Sequence, residues 1–168
     1  MPSVSISLPP YLAQWCADVY ESAVIAGVIT IRPLKGSPLS QFLRVFLKRK
    51  PSNVSPPENS DNRNFKIKIE IPSFPGRDPS VYSYLSPVAE AQLRDLLRDS
   101  FDLDLFTDFS RFSNFTSQKS DFIYSWLDKH NIDPNEINWL AVSKRLQLIE
   151  SRSRDCKRKK FSRSKSAD

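Results

Sequence analysis

The stretch SVSISLPPYLAQWC, Ser3 to Cys16, decides the fold class. Its first six residues alternate, with Val4, Ile6 and Leu8 on one side and Ser3, Ser5 and Ser7 on the other. A period of two is the signature of a strand with one buried face. Pro9 and Pro10 end that strand, because proline brings no N–H to a ladder, and the same residues suit the first turn of a helix. From Tyr11 to Val24 the spacing of Leu12, Trp15, Cys16, Val19 and Ala23 predicts such a helix.

Downstream the pattern repeats. A β-rich run covers Val28 to Ile31 after Gly27. Ser37 caps a second helix with Pro38 in its first position, and Leu39, Phe42, Leu43, Phe46 and Leu47 form its apolar stripe. Lys48, Arg49 and Lys50 close it with the charge that a helix C-terminus favours. Residues 51–64 (PSNVSPPENSDNRN) are polar and proline-rich, and read as a mobile loop. A third strand, Phe65 to Ile71, alternates Ile67, Ile69 and Ile71 with Lys66, Lys68 and Glu70, as on a half-exposed sheet.

The C-terminal half is helical. Ser86-Pro87 opens a long helix through Val88, Leu93, Leu96 and Leu97. Phe101–Phe109 fits either a strand or one helical face, and its length and position favour continued helix. A loop about Arg111–Lys119 leads to a helix, Asp121–Lys129, burying Phe122, Ile123, Trp126 and Leu127. Asp133-Pro134-Asn135-Glu136 is a capping-box pattern, with Ile132 and Ile137 as the hydrophobic staple. The last helix is expected to bury Trp139 and Leu146 and to turn Lys144 and Arg145 outward. Its apolar positions stop at Ile149. The reading is α+β: a three-stranded sheet with helical cover, then a C-terminal helical pair ending in a basic tail. Residues 1–150 form a single domain, and 151–168 a disordered tail.

The net charge of +6 is unevenly placed. Residues 143–168 carry ten Lys/Arg against Glu150, Asp155 and Asp168, whereas residues 1–142 carry 15 basic and 16 acidic side chains. A near-neutral body thus bears a cationic end. The three glycines are isolated, which excludes phosphate loops. Cys16 and Cys156 lie too far apart for a zinc site and read as reduced thiols of a cytoplasmic protein. No signal-peptide pattern opens the chain, and no apolar run is long enough for a membrane span. His130 is the only histidine, at a helix end. Asp99, Asp102, Asp104 and Asp108 lack the glycine and distal glutamate of an EF-hand and read as a solvated face. No catalytic residue, metal site or cofactor is expected, and the chain is not read as an enzyme.

What is left points to nucleic acid. Lys144, Arg145, Arg152, Arg154, Lys157, Arg158, Lys159 and Lys160 make a cationic segment able to gain affinity for DNA by counterion release without fixed geometry. The two C-terminal helices also have the order of a helix-turn-helix, with Lys144, Arg145 and Arg152 on the second. The alternative is a protein–protein adaptor whose charged tail docks on an acidic partner.

Two resemblances bear on this. Ser3–Leu8, the helix Tyr11–Val24 and the segment from Gly36 to Leu47 resemble the strand–helix–helix order of ribbon-helix-helix DNA-binding proteins. That resemblance implies a homodimer pairing Ser3–Leu8 across a two-fold axis, base contacts from Ser3, Ser5 and Ser7, and phosphate at Ser37 and Leu39. The β-rich segment Val28–Pro33 departs from the pattern. Over most of its length, through LPPYLAQW, Gly36-Ser37-Pro38-Leu39, Ile69-Glu70-Ile71-Pro72 and Asn138-Trp139, the chain also resembles small proteins of mobile elements and transposable phages of gut bacteria. This implies a mobile-element setting and transfers no activity or site; the DNA-associated accessory role, as a transcriptional regulator, is the reading drawn from the cationic segment.

Overall fold

The computed structural model describes residues 1–49, 51, 64–112 and 118–164, with backbone alone from 155 onward. The expected mobile loop lies outside the described residues apart from its two ends. The chain divides into two compact units, Met1–Ser100 and Phe101–Asp168, with the boundary inside one long helix.

The first unit holds four strands, β1 (Ser3–Leu8), β2 (Glu21–Ile25), β3 (Val28–Arg32) and β4 (Phe65–Glu70), and two helices, α1 (Pro10–Val19) and α2 (Pro38–Phe46). The order is β1-β4-β3-β2, one strand more than the three expected. The addition is β2. Helical spacing carries the reading as far as Val24, but α1 ends at Val19, where Tyr20 turns extended and donates its N–H to Cys16 O. Ala26 (φ +50°) and Gly27 (φ +74°) then make a two-residue turn that returns the chain as β3. Positive φ at both central residues matches the strand twist, which is why this turn builds hairpins. β3 runs parallel to β4, and the connection containing α2 provides the crossover that parallel neighbours need.

Alternation in β1 and β4 holds as read. Val4, Ile6, Leu8, Ile67 and Ile69 are buried together with Ile31 of β3. α1 packs along β2, β3 and β4, burying Leu12, Trp15 and Cys16. α2 begins at the expected cap, where Ser37 Oγ accepts from Ser40 N–H at 3.2 Å. It buries Leu39 and Leu43.

Burial pushes the Cys16 thiol up to about 12, because a thiolate there would lose its water. Iodoacetamide at pH 8 should therefore leave Cys16 unmodified in the native protein and alkylate it in guanidinium, as peptide mass spectrometry would show. Labelling of the native form would mean that α1 does not pack as described. The sign of the linked pH effect also follows. As pH rises past the thiol's ordinary range, the unfolded chain releases a proton that the folded one keeps, so stability falls towards alkaline pH.

The long helix is α3 (Pro87–Phe112), so Phe101–Phe109 is helical as read. Ser86 Oγ accepts from Ala89 N–H at 3.3 Å, capping it as expected. The second unit comprises the end of α3 with α4 (Lys119–Lys129) and α5 (Glu136–Ser164). α4 buries the four residues foreseen, Phe122, Ile123, Trp126 and Leu127. α5 differs in two respects. Its cap is Asn135, whose Oδ1 accepts from Asn138 N–H at 2.9 Å. Ile137 is 71% exposed and makes no staple. The expected break near residue 150 is also not an element boundary, since α5 continues to Ser164.

Candidate functional site

The cationic segment is a helix for much of its length. Asn135 closes the first turn of α5, and Asn138 Nδ2 donates back to Asp133 O at 3.0 Å. Asn138, Val142 and Leu146 form the buried stripe. Lys144, Arg152 and Arg154 lie off this stripe and are exposed, with no ion-pair partner among the described residues. Lys157, Arg158, Lys159 and Lys160 follow on the same backbone.

Arg145 does not share that outward position. Its guanidinium makes a two-pronged pair with Asp102 of α3, Nε to Oδ1 at 2.9 Å and Nη2 to Oδ2. Both side chains are mostly buried, 18% and 13% exposed. A planar fork on a carboxylate is the strong form of this interaction. Arg145 is thus committed to joining α5 to α3, and the expectation that it faces solvent beside Lys144 is corrected. Nearby, Lys119 Nζ pairs with Glu150 Oε2 at 2.6 Å.

The aspartates of α3 are not the uniformly solvated face that was read. Asp108 is buried and takes the Lys129 ammonium at 2.5 Å. His130 joins it for a local reason. Asn131 adopts φ +51°, and the N–H groups of Asn131 and Ile132 bond back to Asp128 O and Leu127 O. This is a Schellman ending with a left-handed asparagine after the cap, and it turns His130 into the unit. Its Nε2 stands 3.6 Å from Asp104 Oδ2 and 4.0 Å from Asp108 Oδ2. Asp104, Asp108 and His130 each bring one ligand atom within 4.8 Å of the others, a set able to hold a cation. Two carboxylates and an imidazole would suit a borderline divalent ion, but such an ion would compete with Lys129 for Asp108. Spacing along the sequence could not show this group, because His130 is 22 residues from Asp108.

In the first unit, Ser3, Ser5 and Ser7 pair with Glu70, Lys68 and Lys66 of β4 along the outer face. Arg32 is held there by Glu70 at 2.7 Å and Glu21 at 2.9 Å, while Lys66 and Lys68 have no ion pair among the described residues. The ribbon-helix-helix resemblance implies a first strand paired only across a dimer axis. Here β1 is paired with β4 along its length, and a hairpin stands between α1 and α2.

Comparison with known proteins gives no counterpart: no protein family, no curated sequence and no solved structure matches this chain. Among the described residues no helix is long and apolar enough to cross a membrane.

Proposed function

We propose that this is a non-enzymatic DNA-binding or DNA-associated accessory protein, holding the polyphosphate backbone with the basic half of α5. The setting is the mobile-element one that the sequence resemblance implies, and the role within it is that of a transcriptional regulator. One observation carries the reading. Lys144, Arg152 and Arg154 are exposed and without ion-pair partners among the described residues, and they lead into Lys157, Arg158, Lys159 and Lys160 on one helix. Such a row neutralises successive phosphates and releases their counterions.

The test is a chain ending at Ser151, titrated with a labelled DNA duplex at several salt concentrations beside the full chain. Each phosphate contact contributes about 0.9 to the slope of log affinity against log salt. The truncated chain should therefore bind more weakly with a slope smaller by several units, at an unchanged thermal midpoint. Equal slopes would remove the part of α5 beyond Ser151 from the interface.

The adaptor reading has its own support. Ile137, Leu140 and Leu148 are 71%, 45% and 47% exposed and recur at helical spacing on α5. An apolar stripe opposite the buried one suits a partner protein. Leu140→Glu leaving DNA affinity intact while abolishing capture of a protein partner would favour it.

A further inference from the structure

The two edges of the sheet are treated differently. At the β1 edge, Arg94 Nε donates to Ser7 O at 3.2 Å, so a side chain already occupies a strand carbonyl there. At the β2 edge all five residues, Glu21 to Ile25, are exposed, with Val24 at 73% and Ile25 at 55%. β2 has no lysine, no proline and no bulge, and its register with β3 is unbroken over five pairs. Those are the devices by which edge strands are normally blunted. Its one charge, Glu21, sits at the end and is engaged with Arg32.

The turn determines which backbone groups face outward. In a hairpin closed by two residues, the flanking pair is hydrogen-bonded and the pairs alternate from there. Ile25–Val28 is the flanking pair, so Ile25, Ala23 and Glu21 bond to β3. The N–H and C=O groups of Ser22 and Val24 then point away from the sheet. Two such pairs, one on each side of Ala23, form a pattern that is its own complement. An antiparallel copy centred on Ala23 sets Ser22 opposite Val24 and Val24 opposite Ser22, which closes four backbone hydrogen bonds.

We infer that β2 is a homodimerisation edge, pairing with the β2 of a second copy about a two-fold axis at Ala23. The axis falls on a non-hydrogen-bonded pair, where Cα atoms come within about 4.5 Å and a small side chain is favoured. Charge permits this register. The two Glu21 residues end about 14 Å apart at about 3.4 Å per residue, beyond the Debye length at physiological salt. Five residues per edge lie at the low end of interface sizes, so the dimer is a weak one that forms at tens to hundreds of micromolar.

Sedimentation equilibrium of the full chain across that range should show a monomer–dimer equilibrium. Val24→Pro removes an outward N–H and leaves the β2–β3 bonds alone, so it should return the protein to monomer with its thermal midpoint little changed. Val24→Lys serves as the second variant should proline disturb the hairpin. In a Cys156→Ser background, Ala23→Cys should form an intermolecular disulfide on mild oxidation, because its Cα spacing suits one, whereas Glu21→Cys should form far less. A protein monomeric at several hundred micromolar, a dimer indifferent to both Val24 variants, or equal crosslinking at the two positions would overturn the inference. DNA binding through α5 would be untouched by any of these results.

Discussion

Replacing Trp126 with alanine is expected to destabilise the second unit by about 3–5 kcal/mol, the range for removing a large aromatic from a core. The indole is 2% exposed and meets the Phe101 ring edge-on, with centroids 5.2 Å apart. The His130 ring centroid lies 4.4 Å from that of the indole. Alanine would leave a void bordered by α3 and α4, and with it the contact that orients His130 beside Asp104 and Asp108. One term works the other way: Trp126 Nε1 is buried without a hydrogen-bond partner among the described residues, and its loss recovers part of that desolvation. Trp139 is the control. It is only half-buried, beside Tyr124 at 6.0 Å, and its truncation should cost about 1–2 kcal/mol. Chemical denaturation followed by far-ultraviolet circular dichroism compares the two. Equal costs would mean that the second unit is not centred on Trp126.

The contrast between these tryptophans shows how far local pattern reaches. On α4 and α2 spacing identified the buried face correctly, Phe122, Ile123, Trp126 and Leu127 on the one and Leu39 and Leu43 on the other, whereas on α5 it expected a buried Trp139 that is only half-buried. It read the start of α5 wrongly because Asp133 and Asn135 are both good caps, and a capping box selects the first. With the cap at Asn135, Ile137 becomes the second helical residue and has nothing to staple. β2 was hidden for a similar reason. Val19 and Ala23 happen to continue the α1 stripe, so periodicity runs past the true end. The deciding signal was the β-branched runs Val24-Ile25 and Val28-Ile29 around Ala26-Gly27, a hairpin pattern two residues wide.

What the sequence could not show is pairing across long separations. Asp102 and Arg145 are 43 residues apart, and each alone looks like an ordinary surface charge. The aspartates of α3 were grouped by nearness in sequence. The fold divides them by partner instead, Asp102 to Arg145 and Asp108 to Lys129. The cationic segment was legible because charge density needs no partner to be seen.

That separation makes Arg145 the sharpest test of which basic residues are free to meet DNA. Arg145→Ala should cost about 3 kcal/mol, the low end of the range for leaving one member of a buried pair uncompensated. Asp102→Ala should cost a similar amount. The double variant should lose well under the sum, because removing both charges leaves neither stranded, and the difference measures their coupling. Lys144→Ala, at an exposed neighbouring position, should change stability by no more than about 0.5 kcal/mol. DNA affinity should follow the opposite order. At a temperature where every variant is folded, Lys144→Ala should weaken binding and lower its salt slope, whereas Arg145→Ala should leave both at the parent value. An Arg145→Ala variant as stable as Lys144→Ala, but poorer in binding DNA, would mean that Arg145 faces the nucleic acid and that its pair with Asp102 does not hold α5 to α3.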